Sequence, residues 1–399
     1  MKILTCLLLC AALLLCCLPA MGDVSSRAPE DYTPALKDLA AAHGFRIGLC
    51  LSPNQLSQKD YLSFLAAQFN TTTCTNETKA YSLLDQAASR AAEDGMPRMN
   101  YTVADKMIAW AQENGVGVRG HVLTWDAYMT DWFFHEDYDS ARPIAQRDVL
   151  LARMESYITQ VVTHFEETFP GVIYCWDVVN EAMGDSPQEY RADDPRHIRT
   201  MRNGAPNPFY DYVGEDYVEY SFLFARNAVE ALGADIKLYY NDYNAYFSDK
   251  ATAIRKLAAS VNSYVKNSDG SDRKLLDGIG MQGYWSVDYP NISAITGTIT
   301  IFSKLDLEIQ ITELSVGVDE ETPEAFEEQA KRYRNIFLNL KALDTQGGGT
   351  CNITNVTFFG LKDHYVAGDK TNARLFDKDL NPKPAFDAVL QILKMLYQN

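Results

Sequence analysis

The feature that most constrains the fold is a regular alternation of short apolar strand patterns with helical patterns along the chain. Several of the helical patterns end at Gly or Asn, as in Glu113-Asn114-Gly115. The predicted strands are 45–51, 69–74, 116–123, 172–179, 236–241, 278–282, 307–312 and 356–361, and the predicted helices are 79–92, 103–114, 147–168, 215–232, 249–266, 323–343 and 384–397. Eight strand–helix units in 399 residues predict an α/β protein, a single (β/α)8 TIM barrel.

The first 22 residues have the pattern of a secretory signal peptide. Lys2 gives a basic start, an apolar run extends from Ile3 to Leu18, and small residues follow it to Gly22. A membrane anchor is the alternative, but the run is short for a bilayer span and nothing later resembles one. We therefore expect residues 1–22 to be removed, residues 23–399 to form the barrel, and the protein to be secreted and extracellular, with no membrane attachment afterwards.

Charge and composition narrow the class of partner. With 36 Lys and Arg against 53 Asp and Glu, the formal net charge is −17, which disfavours nucleic-acid binding because that requires a surface that neutralises phosphate. The 23 Tyr and 5 Trp offer flat faces suited to sugar rings, although aromatic residues more often fill cores. We expect a neutral ligand and a monomeric protein.

Four cysteines remain after the predicted cleavage, and they are Cys50, Cys74, Cys175 and Cys351. They are too few for a disulfide scaffold, and no C-x-x-C pair suggests a metal site. Cys50 and Cys74 each end a predicted strand, so a disulfide between them and two buried free thiols remain equal alternatives.

Two predicted strands end in glutamate. The fourth strand runs into Asn180-Glu181 and the seventh into Thr312-Glu313. Active sites of (β/α)8 barrels lie at the carboxyl ends of the strands, and strands four and seven face each other across the barrel mouth. Retaining glycosidases use two carboxyl groups about 5–5.5 Å apart, one as nucleophile and the other as acid/base. Solvated or ion-paired glutamates would give the same pattern, but polar groups at neighbouring strand ends favour a site: His121, Asn180, Gln282 and the segment Asn241-Asp242-Tyr243-Asn244.

The chain resembles glycoside hydrolase family 10, the secreted endo-1,4-β-xylanases. The similar segments are Arg119-Gly120-His121 to Trp125, Trp176 to Glu181, Tyr239 to Asn244, Gly278 to Gln282, Ile311 to Leu314, and Asn381 to Asp387. The resemblance covers essentially the whole chain after residue 22. The resemblance implies retaining hydrolysis of internal β-1,4-xylosidic bonds in xylan, with Glu181 as acid/base and Glu313 as nucleophile, and chemistry that needs no cofactor or metal. It also implies sugar contacts for Asn76, Lys79, His121, Trp125, Asn180 and Gln282, although a solvated Lys79 is the simpler interpretation of that lysine by itself.

Several positions depart from the family pattern, and they cluster around the predicted site. Tyr284, a further candidate for substrate binding, replaces a His, and Ser315 replaces an Asp, so a charged network beside Glu313 is exchanged for hydroxyl groups. We expect this exchange to leave Glu313 less coupled to a titrating neighbour. The remaining departures are Thr75 for Glu, Asp126 for His, and Ala80, Phe359 and Ala367 at positions where the family often has Trp.

These departures keep two further functions open. Loss of Trp at Ala80 and Ala367 removes about 150–250 Å² of aromatic face at each position, which predicts a wider site for a decorated xylan or another β-glycan. The acidic net charge disfavours a heavily glucuronated chain. The second alternative is a non-catalytic carbohydrate-binding protein, but such a protein has no chemical need for both Glu181 and Glu313.

Overall fold

Eight parallel strands close into a barrel in the computed structural model, which describes residues 32–186, 198–363 and 372–397. The strands follow one another around the barrel in chain order, and the eighth pairs with the first. They are β1 Arg46–Leu51, β2 Thr71–Cys74, β3 Gly117–Thr124, β4 Ile173–Asn180, β5 Lys237–Asp242, β6 Gly278–Ser286, β7 Glu308–Gly317 and β8 Asn352–Phe358. The predicted (β/α)8 fold is therefore confirmed, whereas the predicted signal peptide and Ala367 lie outside the described residues.

The helices surround the barrel. They are α1 Leu36–Ala42, α2 Lys59–Gln68, α3 Ala80–Leu83, α4 Gln86–Ala91, α5 Thr102–Glu113, α6 Arg147–Thr168, α7 Tyr217–Leu232, α8 Ser248–Ser263, α9 Ile292–Phe302, α10 Pro323–Leu343 and α11 Pro384–Tyr397. The bounds of α6, α10 and α11 agree with the prediction at both ends. In the part of the chain that the structure describes, no helix combines the length and the apolar character needed to cross a membrane.

One predicted helix and three predicted strands differ most from the structure: β6 and β7 extend to Ser286 and Gly317, past the predicted ends at 282 and 312. The helix predicted for 79–92 is interrupted at Leu84 and Asp85, where the backbone is extended and the Asp85 carboxylate caps α4 by accepting a hydrogen bond from the Ala88 amide. Residues that favour capping compete with helix continuation. The last strand starts at Asn352 rather than at 356, because its polar residues, such as Asn355, are buried and hydrogen-bonded inside the barrel.

The interior of the barrel holds a buried charged cluster below the mouth. Arg119 on β3 forms a two-point ion pair with Asp177 on β4, donating from Nε to Oδ2 at 3.0 Å and from Nη2 to Oδ1. Arg119 also donates to Gln310 at 2.5 Å. Gly120 allows Trp176 to pack directly against β3, because a Cβ there would lie 2.3 Å from the indole ring. This cluster links β3, β4 and β7, three of the strands whose carboxyl ends form the candidate site.

Candidate active site

A cleft of about 800 Å³ lies at the carboxyl ends of the strands. Its lining includes eight of the nine predicted site residues: Asn76, Lys79, His121, Trp125, Glu181, Gln282, Tyr284 and Glu313. The ninth, Asn180, is buried directly behind them and is hydrogen-bonded to Gln282. The structure thus brings together residues from all parts of the chain that the sequence assigned to one site.

The backbone places Glu181 and Glu313 in an unusual conformation. Their φ angles are +56° and +57°, in the left-handed region that residues with a side chain seldom adopt. At Glu313 the strand also bulges, since Gln282 pairs with Thr312 and Tyr284 with Ser315, which leaves two residues of β7 opposite one of β6. Bulges of this kind re-aim a side chain near active sites. Tyr284 and Ser315, the two exchanged positions, are therefore direct partners across the strands.

Glu313 accepts hydrogen bonds from two neutral donors. The Asn241 amide donates to Oε1 at 3.1 Å, and the Tyr284 hydroxyl donates to Oε2. Desolvation and the adjacent Glu313 carboxylate raise the pKa of the Tyr284 hydroxyl well above its usual value, so Tyr284 remains a donor. Among the described residues no histidine hydrogen-bonds to Glu313, which agrees with the expected loss of a titrating neighbour.

Glu181 is buried and accepts hydrogen bonds at both oxygens. Gln282 donates to Oε1 at 3.0 Å, and Arg202 donates from Nη1 to Oε2 at 2.9 Å. Burial raises the pKa of the Glu181 carboxyl, the Arg202 guanidinium opposes this rise, and the neighbouring Asp242 carboxylate adds to it. The two glutamates therefore have different surroundings, with neutral donors on Glu313 and burial plus a cation on Glu181.

Amide side chains connect the two glutamates. Asn180 Oδ1 accepts from Asn241 at 2.9 Å and from Gln282 at 3.2 Å, and the same two amide groups donate to Glu313 and Glu181. The Nδ2 of Asn180 is buried and has no hydrogen-bond partner in the protein. Because an unmade hydrogen bond of a buried donor is unfavourable, this atom is suited to a ligand oxygen.

Lys79 is a buried lysine rather than a solvated one. Its ammonium donates to Asn76 Oδ1 at 3.0 Å and lies over the rings of Trp125, at 4.9 Å, and Tyr128, at 4.1 Å. Burial lowers the pKa of Lys79, and the carboxylates of Glu313 and Glu181 oppose that change. The Lys79 ammonium thus places a positive charge in the cleft, near both glutamates and against the rings of Trp125 and Tyr128.

His121 lies above the buried charged cluster. Its Nδ1 is 2.9 Å from Asp177 Oδ2, so the carboxylate orients the ring and favours the proton on Nδ1. The ring packs edge-on against Trp125 with centroids 5.7 Å apart. Asp177 therefore holds His121 at the cleft wall and also forms the buried ion pair with Arg119 inside the barrel.

The described positions at which the family often has Trp, Ala80 and Phe359, have different surroundings in the structure. Ala80 is buried, so the smaller side chain leaves no open space in the cleft there. Near it, Tyr128 packs between Trp125 and Tyr81, with centroid distances of 4.5 and 5.4 Å. Phe359, which also lines the cleft, meets the Tyr284 ring edge-on at 5.1 Å.

All four cysteines after residue 22 are buried free thiols. Cys50 and Cys74 both line the cleft but are not bonded to each other. Burial raises the pKa of the Cys50 thiol to about 12, so it is a neutral group in the cleft wall. Of the two alternatives for this pair, the structure has the free thiols.

Arg202 is the principal site residue that the sequence did not reveal. It lies on a short hairpin in which Met201–Arg202 pairs with Ala205–Pro206. The turn residues Asn203 and Gly204 both have positive φ, 51° and 79°, which is the conformation that Asn-Gly favours in two-residue hairpins. That dipeptide was the available signal, but nothing local showed that the hairpin would meet β4.

The barrel and the pair of carboxyl groups at its mouth define a glycoside hydrolase. The sequence pattern of Glycosyl hydrolase family 10 matches residues 35–392, and the chain belongs to this family, that of the endo-1,4-β-xylanases. A Caldicellulosiruptor saccharolyticus protein that is provisionally named an endo-1,4-beta-xylanase is 38% identical over 324 residues, which cover 78% of this chain and 96% of that protein.

Solved structures agree with this family. The CBM22-1–GH10 modules of Clostridium thermocellum endo-1,4-beta-D-xylanase 10B, complexed with xylohexaose, superpose with a TM-score of 0.78 at 27% identity, over 90% of this chain and 67% of that one. An intracellular xylanase from Thermoanaerobacterium saccharolyticum has a TM-score of 0.72 at 30% identity, over 89% of this chain and 98% of that one.

Proposed function

We propose that this chain is a secreted, monomeric, retaining endo-1,4-β-xylanase in which Glu313 is the nucleophile and Glu181 the acid/base. The observation that carries the assignment is the contrast between the two carboxyl groups. Burial raises the pKa of Glu181 in spite of the Arg202 cation at its Oε2, as an acid requires, whereas both donors to Glu313, Tyr284 and Asn241, are neutral. Pairs of carboxyl groups with such different surroundings divide acid and nucleophile roles between them.

The reaction follows from these contacts. The Glu313 carboxylate attacks the anomeric carbon while Glu181 transfers its proton to the departing glycosidic oxygen. Glu181, now a carboxylate, then takes a proton from water as the water oxygen attacks that carbon and Glu313 leaves. Asn180 Nδ2, buried without a partner, is the donor for the sugar hydroxyl beside the reacting carbon.

Activity assays on polymers test this function. Wild type should release reducing sugar from xylan, and Glu313→Ala and Glu181→Ala should each lose about a thousandfold or more of that activity. NMR of the first products should show the β-anomer. Full activity in either variant, or an α-anomer as first product, contradicts the assignment.

A decorated xylan is the second candidate, because one cavity favours it. A second cavity of about 950 Å³ shares Cys50, Thr75, Asn76 and Phe359 with the cleft and is also lined by Lys362 and Arg374. Two cations beside the cleft favour an acidic side group locally, in spite of the net charge of −17. A higher kcat/KM on glucuronoxylan than on arabinoxylan, lost in Lys362→Met, would support this candidate, and equal values would contradict it.

Secretion rests on the sequence of residues 2–22 alone. Expression of the full chain in a secreting host, followed by N-terminal sequencing, should give a product that begins near residue 23. Retention of the intact chain in the cells contradicts this part of the proposal. Size-exclusion chromatography of the secreted product tests the monomer.

A further inference from the structure

The hairpin that carries Arg202 brings an ion-pair network to Glu181. Arg202 donates from Nε and Nη2 to the two oxygens of Asp126, at 2.9 and 3.0 Å, and from Nη1 to Glu181 Oε2 at 2.9 Å. The side chains of Arg202, Asp126 and Glu181 are 16%, 4% and 9% exposed, so solvent screens these charges little. The guanidinium therefore bridges two carboxylates at the edge of the cleft.

The bridge explains the exchange at position 126. Asp126 stands where the family has a His, so this chain has an anion in place of a group that can carry a positive charge. A buried Asp126 would disfavour ionisation of nearby Glu181 if no cation lay between them. Arg202 supplies that cation, and its two bonds to Asp126 fix the plane of the guanidinium.

We propose that Arg202, held by Asp126, is a positioning residue of the reaction that orients the Glu181 carboxyl and stabilises its ionised form when Glu181 acts as general base. In that second step Glu181 takes the proton of the attacking water while the bond between the anomeric carbon and Glu313 breaks. This inference rests on the proposed role of Glu181.

Other charged groups also act on Glu181, and they set the background for the test. Asp242 on β5 and Glu313 on β7 oppose its ionisation, whereas Lys79 before α3 favours it. Asp242 is itself paired with Lys250 at 3.0 Å. Gln282 donates to Oε1, the neutral hydroxyls of Tyr243 and Tyr284 also lie near this carboxyl, and His121 on β3 lines the same cleft. Among the described residues, only Arg202 contacts the Glu181 carboxylate as a cation.

Substitutions of Arg202 and Asp126 should shift the basic limb of the pH profile of kcat/KM in opposite directions. A merely structural role of the pair would not produce opposite shifts. Arg202→Met removes the cation, so the basic limb of kcat/KM should move up by about one pH unit. Asp126→Asn leaves Arg202 less neutralised, so the same limb should move down. Arg202→Lys should restore part of the wild-type profile.

The kinetic step gives a second readout. An aryl β-xylobioside with a good leaving group needs little acid assistance in the first step, so its turnover reports the base step. Arg202→Met should lower kcat on this substrate about tenfold while kcat/KM changes less. The matched control is Arg199→Met, because Arg199 donates to the backbone oxygens of Glu181 and Met183 but not to the carboxylate.

The outcomes separate this inference from the proposed function. Opposite limb shifts for Arg202→Met and Asp126→Asn, with no shift for Arg199→Met, support it. A folded Arg202→Met or Arg202→Lys protein with the wild-type pH profile overturns it, as does a shift of the same sign in Asp126→Asn. Full activity of Glu181→Ala would instead reject the role of Glu181 itself.

Discussion

The hydrogen bond from Tyr284 to Glu313 allows a quantitative prediction for Tyr284→Phe. The change removes one donor from the carboxylate and leaves Asn241 at 3.1 Å. The ring and its contact with Phe359 at 5.1 Å are kept. A hydrogen bond to a charged group contributes about 1.5–3 kcal/mol. Glu313 loses charge in the first step and regains it in the second, so the missing donor should slow mainly the second.

If about half of the charge has returned in the transition state, about 0.8–1.5 kcal/mol of stabilisation is lost, which lowers kcat about fourfold to thirteenfold. Because the covalent intermediate then accumulates, stopped-flow measurement with an aryl β-xylobioside should show a larger burst than wild type.

The control for Tyr284→Phe is Tyr289→Phe. Tyr289 is a 52% exposed tyrosine that follows the same strand and does not line the cleft. Its loss of a hydroxyl should leave kcat within about twofold of wild type. A fall in kcat/KM larger than the fall in kcat, or no burst in Tyr284→Phe, would refute the reasoning about charge return.

Three further changes test other parts of the site. Tyr284→His should add an ionisation near pH 6.5 to the pH–rate profile; an unchanged number of ionisations would argue against a neutral donor as the determinant. Arg119→Met should destabilise the protein by about 3–5 kcal/mol in urea unfolding, because it leaves Asp177 buried without its cation; a loss below about 1 kcal/mol would contradict this. Because burial raises the pKa of Glu181, its folded form holds a proton more tightly than its unfolded form. The free energy of unfolding of wild type relative to Glu181→Gln should thus fall as pH rises from about 4 through the folded pKa; a difference that rises with pH has the wrong sign.

The sequence predicted the barrel because its signals are repetitive and local. Pro323–Leu343 and Pro384–Tyr397 begin at Pro, which favours the first turn of a helix, and both were predicted to the residue. The polar residues at the strand ends also indicated the site, since a parallel barrel brings the carboxyl ends of all its strands to one mouth. Position at the strand ends therefore indicates Glu181, Gln282 and Glu313 as candidates that line one cleft, and the resemblance to the family adds their roles.

Features that depend on tertiary contacts were not predicted. Helix α9 is rich in β-branched residues, which favour strands, yet Ile295, Ile299 and Phe302 bury one helical face and Asn291 caps its start. The contact of Arg202 with Glu181 joins a hairpin to a strand 21 residues earlier, and no local pattern encodes that distance.

The left-handed backbone at both glutamates bears on how this chain could change over time. A side chain in that region costs about 1–2 kcal/mol, whereas glycine adopts it freely. Gly at 181 or 313 would thus relax the backbone of a barrel that only bound sugar, and mutational drift would favour it there. A related barrel that no longer hydrolysed sugars should therefore become more stable when Gly replaces these two glutamates. The presence of both side chains in this chain thus indicates a retained catalytic function and not only common descent.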